Sequence, residues 1–303
     1  MVSVVITTYN REWNIVKRAV DSVLAQTVRD LELFVVDDNK DGVLSNTIRT
    51  NLDLLGRSDV HYLKTNGREG ACAARNCGLA NSRGEYIAFL DDDDEWYPEK
   101  LEKQIKVFTD NDDLGLVYCS YVFFNEDTDR YTVPRKTFKK FRKGNVYNDL
   151  LSTNFIGSTS FPLIRKSALT AIGGFDVEMQ SCQDYDVWLR IAAKYQVAFV
   201  PEILVKYHVH SNESIGKNPE KRLNGQNRLI AKNLDALSKY RGAYYARLSF
   251  VIPMYADVGD FATARKKCRE LIRAFPFRIV SNVILLIRLE KHVLKKKKDH
   301  EKY

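Results

Sequence analysis

The first hundred residues alternate short runs of strand-forming residues with amphipathic helical stretches. Four runs are apolar at nearly every position, which is typical of parallel strands covered on both faces; they span residues 2–7, 31–36, 60–64 and 86–90. Between the first two runs, apolar residues recur at helical spacing from Ile15 to Leu24, and residues 72–80 form a second such stretch. This βαβα order predicts an α/β domain.

The remainder of the chain changes pattern twice. Residues 116–210 are mixed, with a strand over 117–123, helices near 147–152 and 184–195, and a strand, a short helix and a turn between 158 and 176. From Lys221 onward the pattern predicts helices only. We therefore predict one α/β domain over residues 1–215, with halves at 1–115 and 116–215, followed by a helical extension over 216–303.

The charge is distributed unevenly along the 303 residues. The net charge is +8, but residues 221–303 hold 20 Lys and Arg against 7 Asp and Glu, whereas residues 1–220 hold 27 against 32. A mildly acidic body with a basic end favours an anionic membrane surface over nucleic acid as a partner. The five cysteines have no zinc-finger or disulfide spacing, and the first residues do not resemble a signal peptide, so we expect a cytoplasmic protein without a transmembrane anchor.

Four consecutive aspartates follow the fourth predicted strand. If the chain stays extended there, Asp91 and Asp93 point to one side, and Asp92 and Asp94 to the other. Clustered carboxylates repel one another unless a cation or hydrogen-bond donors neutralise them. A hard divalent cation would do so and would bridge phosphate oxygens. The alternative is a solvated acidic turn that caps the helix near Pro98.

Two other strand ends carry polar clusters that should face the same crevice, because ligands bind at the carboxyl ends of strands in open α/β sheets. Residues 7–11 leave the first strand and enter a helix, so their N–H groups and the Arg11 charge can meet an anion, although Asn10 could simply cap the helix. Asp37 and Asp38 end the second strand, where one could form a turn and the other accept hydrogen bonds from a nucleoside. Glycine-rich dinucleotide and P-loop motifs are absent from the sequence.

A third acidic pair opens the predicted helix at 184–195. Asp184 and Asp186 differ in direction by about 200° on a helix, so they cannot both face one substrate. One is expected to be a structural charge near the helix N-terminus, and the other is free to act as a general base.

These motifs together resemble the family 2 glycosyltransferases of the GT-A fold over residues 1–215. Five ordered motifs carry the resemblance: Val-Ser-Val-Val-Ile-Thr-Thr-Tyr-Asn-Arg at 2–11, Val-Val-Asp-Asp at 35–38, Gly-Ala-Cys-Ala-Ala-Arg-Asn-Cys-Gly at 70–78, Gly-Glu-Tyr-Ile at 84–87 and the aspartates at 91–94. Gly-Gly-Phe-Asp at 173–176 and Gln-Asp-Tyr-Asp at 183–186 extend it. The resemblance implies inverting transfer from a nucleotide-diphosphate sugar, here a UDP-sugar, with Mg²⁺ or Mn²⁺ as cofactor.

The resemblance also implies roles for individual residues. The expected donor-site residues are Thr7, Tyr9, Asn10, Arg11, Asp38, Arg75, Asp91 and Asp92. Asp91 and Asp93 are the expected metal carboxylates, with Asp93 as the direct ligand, and His210 is a further candidate for the metal. Asp184 occupies the position of the catalytic base, but Gln183 stands where the family usually has Glu.

By resemblance, the acceptor is a hydroxyl of a glycan or a lipid-linked sugar in the synthesis of bacterial surface polysaccharide, at the cytoplasmic face of the membrane. Two other functions remain open: a sugar nucleotidyltransferase, which would be expected to have a Gly-rich loop over a triphosphate, and a non-catalytic binding protein. The C-terminal segment has two interpretations as well. Its apolar cluster at 280–289 and its basic residues predict either a peripheral membrane anchor or a helical cap with a solvated tail.

Overall fold

The computed structural model describes residues 1–67, 69–109, 111–133, 141–209 and 218–300, and of residues 295–300 only the backbone. The strands are β1 (Val2–Thr8), β2 (Leu31–Asp37), β3 (Val60–Lys64), β4 (Tyr86–Asp91), β5 (Glu95–Trp96), β6 (Leu114–Asn125), β7 (Arg130–Thr132), β8 (Leu163–Arg165) and β9 (Gln196–Val209). The helices are α1 (Trp13–Leu24), α2 (Gly42–Asp53), α3 (Ala71–Asn81), α4 (Lys100–Thr109), α5 (Tyr147–Ser152), α6 (Lys166–Ala171), α7 (Gln183–Ala192), α8 (Pro219–Lys232), α9 (Leu234–Lys239), α10 (Arg241–Asp257), α11 (Phe261–Ala274) and α12 (Ile279–His300).

The described strands form one mixed sheet in the order β3-β2-β1-β4-β8-β6-β9-β5, and β7 pairs with β6. Strands β1 to β4 are mutually parallel, whereas β8 runs antiparallel to both β4 and β6. Each of the four predicted strands of the first hundred residues matches one of these parallel strands to within a residue. The predicted α/β class is therefore confirmed.

Helices cover both faces of the parallel part, as its nearly continuous apolar strands require. Val16, Val20 and Val23 of α1 are buried in one core cluster with residues of β1, β2 and β4. On α3, a Cβ at Gly78 would lie 2.4 Å from Cγ1 of Val5, so only glycine allows this helix to approach β1 so closely. This packing fixes the strand ends from which the polar loops emerge.

The chain divides into two compact units. The first comprises residues 1–147, 155–178 and 183–212, and the second comprises 148–154, 179–182 and 213–303. The described part of the second unit after residue 218 is helical, as the sequence predicts. It has its own apolar core, which includes Ile252, Cys268 and Leu289. None of the described helices is long and apolar enough to cross a membrane.

Candidate active site

The carboxyl ends of three parallel strands bring the predicted polar clusters together. Thr8 at the end of β1 pairs with Asp37 at the end of β2, and Thr7 pairs with Asp91 at the end of β4. The crevice predicted from the strand ends therefore has its polar residues on adjacent strands. Tyr9 is half exposed beyond β1, while Thr7 is partly buried.

Residues 91–94 form an acidic turn rather than an extended strand. Strand β4 ends at Asp91, and the amide of Asp94 donates a hydrogen bond to the Asp91 carbonyl at 3.1 Å. The turn still separates the four aspartates into the two pairs that an extended strand would have given. Asp91 and Asp93 keep 29% and 21% of their side chains exposed, whereas Asp92 and Asp94 are buried.

Burial and mutual repulsion perturb the two buried carboxyls. Burial, reinforced by the charge of Asp93, raises the pKa of Asp92 to about 7. Burial also raises the pKa of Asp94 well above its usual range, although Ser160 and the His208 amide donate hydrogen bonds to it. The raised pKa values favour the protonated, neutral forms of Asp92 and Asp94, so the acidic turn carries less negative charge than four fully ionised aspartates would.

Two arginines contact the outer side of the acidic turn, and one of them, Arg11, pairs with its carboxylates. Arg11 donates from Nη2 to Asp93 Oδ2 at 2.8 Å and from Nε to Asp92 Oδ1 at 3.3 Å. Arg18 of α1 donates to the Asp93 carbonyl at 2.8 Å and to Glu126 at 2.7 Å. The Arg11 charge, which the sequence left available for an anionic ligand, is directed at carboxylates in this structure.

Three consecutive hydroxyl residues, the hydroxyl loop (residues 158–160), donate hydrogen bonds to the acidic turn. Ser158 and Thr159 each donate to Asp91 at 3.0 Å, and Ser160 donates to Asp94 at 2.6 Å. Ser160 also accepts from the Asp91 amide at 3.1 Å. These residues were not singled out from the sequence, although the run Ser-Thr-Ser directly before the apolar β8 segment was visible in it.

Arg75 connects the acidic turn with helix α7. Its Nη2 donates to Asp91 Oδ1 at 2.8 Å, and its Nη1 donates to Gln183 Oε1 at 3.1 Å. The Arg75 side chain is buried and lies 5.5 Å from the ring centroid of Phe175. Gln183 is the first residue of α7, so a single guanidinium joins the candidate metal carboxylate to the turn that carries Asp184.

The two acids of α7 occupy different environments. Asp184 is partly exposed in the first turn, whereas Asp186 is buried. Asp186 accepts from Arg190 Nε at 2.8 Å and lies 2.6 Å from its Nη2. This i,i+4 pair holds one turn of α7 and fits the structural role expected for one of the two acids.

The end of β2 carries Asp37 and Asp38, and both are buried. Asp37 accepts from the Asn39 amide at 2.7 Å and from Tyr62 at 2.7 Å. Burial raises its pKa, but hydrogen bonds from Ser45, Asn39, Tyr62 and Lys64 outweigh burial and lower it. Asp38 accepts from the amides of Glu69 and Gly70 at 3.0 and 2.9 Å. Asp38 therefore shapes the loop that leads into α3.

Asn39 belongs to the polar cluster at the end of the second predicted strand, although the sequence assigned it no role of its own. Its Oδ1 accepts the Asn10 amide at 2.5 Å and thereby ties the end of β1 to the end of β2. Asn10 adopts a positive φ of 54°, which Asn tolerates better than most residues. It does not cap α1, because the N-cap residue is Glu12.

A polar cluster around His208 contacts the acidic turn through Asp94. Its ring nitrogens are 2.7 Å from Glu126 and 2.6 Å from Glu95, and its amide donates to Asp94. Hydrogen bonds from His208 and Lys206 outweigh burial and lower the pKa of Glu95 to about 2. His210, the histidine expected near the metal, lies outside the described residues.

The side chains of the acidic turn suit a divalent cation only if other groups complete its coordination shell. Within the described ranges, no three His, Cys, Asp or Glu side chains gather closely enough to hold a metal ion. Mg²⁺ is often held by only one or two carboxylates, with water and substrate phosphates completing its shell. The partly exposed carboxylates of Asp91 and Asp93 offer this donor set. In this structure Asp91 accepts hydrogen bonds from three protein side chains, and Asp93 Oδ2 accepts from Arg11 Nη2 at 2.8 Å.

Comparison with known proteins identifies the class to which this fold and site belong. Residues 3–173 match glycosyl transferase family 2, and the chain belongs to that family. An uncharacterized glycosyltransferase of Rickettsia typhi is 33% identical over 219 residues, which cover 71% of this chain and 65% of the relative. The chain thus spans slightly less than two thirds of that relative's length.

A second relative has a more specific name. The Escherichia coli protein WfgD, named UDP-Glc:alpha-D-GlcNAc-diphosphoundecaprenol beta-1,3-glucosyltransferase, is 31% identical over 230 residues, covering 75% of this chain and 83% of WfgD.

Solved structures share the fold at low sequence identity. Staphylococcus aureus TarS in complex with UDP-GlcNAc is 15% identical, with a TM-score of 0.67 over 99% of this chain and 91% of that one. The mannosyltransferase PcManGT from Pyrobaculum calidifontis, in complex with GDP-Man and Mn²⁺, is 17% identical, with a TM-score of 0.61 over 98% and 84%. The expected GT-A fold is confirmed.

Proposed function

We propose that this protein transfers a sugar from a nucleotide-diphosphate donor to a hydroxyl of a glycan or lipid-linked acceptor, with inversion at the anomeric carbon. Membership of the glycosyltransferase family supports the reaction class. The observation that carries the proposal is the Arg75 bridge, because it joins Asp91 of the acidic turn to the helix turn that bears Asp184. In this proposal, Asp91 is a donor-side group and Asp184 an acceptor-side base, and the bridge supports their belonging to one site.

The donor lies against the ends of β1, β2 and β4 in this proposal. Tyr9 offers an exposed ring to the nucleoside, and Thr7, Asn10 and Asp38 are the proposed residues beside it. Arg11 and Arg75 provide positive charge beside the diphosphate, and Asp92 restrains Arg11. The UDP-Glc in the name of WfgD and the UDP-GlcNAc bound to TarS support a UDP-sugar.

Asp93 holds a divalent cation in this proposal, with Asp91 as the second carboxylate and His210 as a further candidate. A bound Mg²⁺ or Mn²⁺ would supply positive charge that neutralises the departing diphosphate. The Mn²⁺ of the PcManGT complex supports divalent metal use in proteins of this fold.

Asp184 acts as general base. It accepts the proton of the acceptor hydroxyl while the acceptor oxygen bonds to the anomeric carbon. The bond between that carbon and the diphosphate oxygen breaks, and its electron pair leaves with the diphosphate. Attack from the side opposite the leaving group inverts the stereocentre.

The acceptor is proposed to be lipid-linked and the pathway to be bacterial surface-polysaccharide synthesis, which the diphosphoundecaprenol in the name of WfgD supports. A lipid-linked acceptor makes association with an anionic membrane surface, at its cytoplasmic face, useful to the enzyme. The excess of Lys and Arg in residues 221–303 supports that association. We propose that residues 1–215 carry the transferase activity and that residues 216–303 form a separate helical extension.

The test is incubation of the full chain with UDP-sugars and Mn²⁺, with and without a diphosphate-lipid acceptor. Release of UDP that requires Mn²⁺, is faster with acceptor and is lost in Asp184→Asn supports the proposal. Pyrophosphate-dependent formation of UTP would identify a nucleotidyltransferase instead. Donor binding without any turnover, across the donors tested, would favour a binding protein.

A further inference from the structure

Helix α12 has two apolar faces, of which the second unit covers only one. Asn282, Leu285, Leu289 and Val293 are buried, and the last three belong to the core of that unit. A second stripe of large apolar side chains is exposed on the same helix: Ile279, Val280, Val283, Ile284, Leu286, Ile287 and Leu294. At 100° per residue, the exposed stripe spans about 160°, from the edge of the buried face at Leu286 to the opposite side of the helix at Ile284. A helix that is apolar on both sides needs a second partner for the exposed stripe.

A small cavity with two arginines lies just before this stripe. Its volume is about 270 Å³, and it is lined by Arg241, Ala274, Phe275, Pro276, Phe277 and Arg278. None of these lining residues is acidic. Phe277 is 97% exposed, the largest exposed fraction among the large apolar side chains described.

Aromatic rings and a carbonyl hold the two arginines in place. Arg241 donates to the Ala274 carbonyl at 2.8 Å, and its guanidinium lies 4.7 Å from the ring centroid of Phe275. The Arg278 guanidinium lies 4.7 Å from the ring centroid of Tyr245. Within residues 218–294 neither guanidinium has a carboxylate partner. Two restrained positive charges that no carboxylate within residues 218–294 neutralises, placed at one cavity, fit a phosphate group.

We propose that this cavity and the exposed stripe of α12 form one docking surface for an anionic phospholipid membrane. Arg241 and Arg278 bind a headgroup phosphate, Phe277 enters the interface beside them, and the stripe of α12 lies along the acyl boundary. This inference rests on the proposed membrane association and assigns it to particular residues.

Charge favours a lipid surface over a second copy of the chain. Exposed Arg288 and Lys291 lie along the same helix, whereas the nearby Glu290 is engaged by Arg265 through contacts of 2.9 and 2.6 Å. In a twofold dimer through this surface, the cationic residues of one copy would face those of the other. An anionic leaflet neutralises them instead.

The experiment measures binding of the full chain to vesicles by sedimentation, with equal parts of phosphatidylglycerol and phosphatidylcholine and with phosphatidylcholine alone. Each charge at the surface is expected to contribute roughly fivefold in affinity, so Arg241→Gln with Arg278→Gln should weaken binding to the anionic vesicles roughly 25-fold. The matched control removes two exposed lysines of the same unit that do not line the cavity, Lys221→Gln with Lys266→Gln. It should lose less than about threefold. Equal losses in the two double variants would overturn the cavity site, because they would indicate diffuse attraction.

Two further measurements test the apolar part. Phe277→Ser with Ile284→Ser should abolish vesicle binding while Mn²⁺-dependent hydrolysis of the UDP-sugar stays at the wild-type rate. In Phe277→Trp, added anionic vesicles should shift the emission to shorter wavelength, and brominated lipid should quench it. If Phe277→Trp binds the vesicles but its tryptophan emission does not change, insertion of this residue into the membrane is overturned. If sedimentation shows that the wild type is a dimer and that Phe277→Ser is a monomer, the surface binds a second copy of the chain instead. Active wild-type enzyme that ignores anionic vesicles would overturn membrane association and leave the transferase proposal standing.

Discussion

Replacing Gln183 by Leu should separate donor binding from turnover. The change removes the acceptor of the Arg75 Nη1 hydrogen bond, which measures 3.1 Å, and leaves the bond from Arg75 Nη2 to Asp91 in place. Asp91 also retains its bonds from Ser158 and Thr159. The donor side should therefore keep its geometry, while the first turn of α7 loses its tie to it.

The size of the effect follows from the chemistry of that bond. A partly buried hydrogen bond to a charged group contributes about 1.5–3 kcal/mol. If all of this energy orients Asp184, its loss lowers kcat by roughly 10- to 150-fold. The donor KM and the Mn²⁺-dependent affinity for UDP should change less than about twofold. Gln183→Glu is the matched control, because its carboxylate can still accept from Arg75, and it should retain most of the wild-type kcat.

The assay is steady-state transfer to the acceptor, with UDP binding measured by calorimetry on the same preparations. A structural defect alone would lower donor affinity and thermal stability together with kcat. An unchanged kcat in Gln183→Leu would refute a positioning role for the Arg75 bridge. A kcat lost equally in Gln183→Glu would show that the amide itself, rather than an acceptor for Arg75, is required.

Three other changes have expected outcomes. Asp93→Ala should weaken Mn²⁺-dependent UDP binding by at least roughly 10-fold in calorimetry, whereas Asp92→Asn should weaken it less. Asp184→Asn should lower kcat by roughly 10²- to 10⁴-fold at unchanged donor affinity, while Asp186→Asn should mainly cost about 1–3 kcal/mol of unfolding free energy in urea. Burial lowers the pKa of Lys100 to about 8 from 10.5, so the unfolded chain binds more protons between these values. As the pH rises from about 7 to about 10, the unfolding free energy of the wild type should therefore increase by up to roughly 3 kcal/mol, measured relative to that of Lys100→Met at each pH.

The sequence predicted those elements whose signal is local. Apolar runs covered on both faces identified β1 to β4, and helical spacing of apolar residues identified α1, α3 and α7. The long strand β9 was missed, since Pro201 lies in its middle and proline is unusual inside a strand. The structure accommodates it with a bulge: Val200 pairs with Cys119 and Ile203 with Ser120, which leaves Pro201 outside the ladder.

The sequence singled out the acids of the candidate site and not the contacts that they make, for a physical reason. An isolated run of aspartates predicts a site that needs positive charge, but the groups that supply it come from distant parts of the chain. Ser160 reaches Asp94 across 66 positions, and Arg11 reaches Asp93 across 82. Such contacts depend on how β4, β8 and the β1 loop are placed in the sheet, and no local pattern encodes that placement. The clustered acids require cations or hydrogen-bond donors nearby, and the order of strands in the sheet determines which side chains provide them.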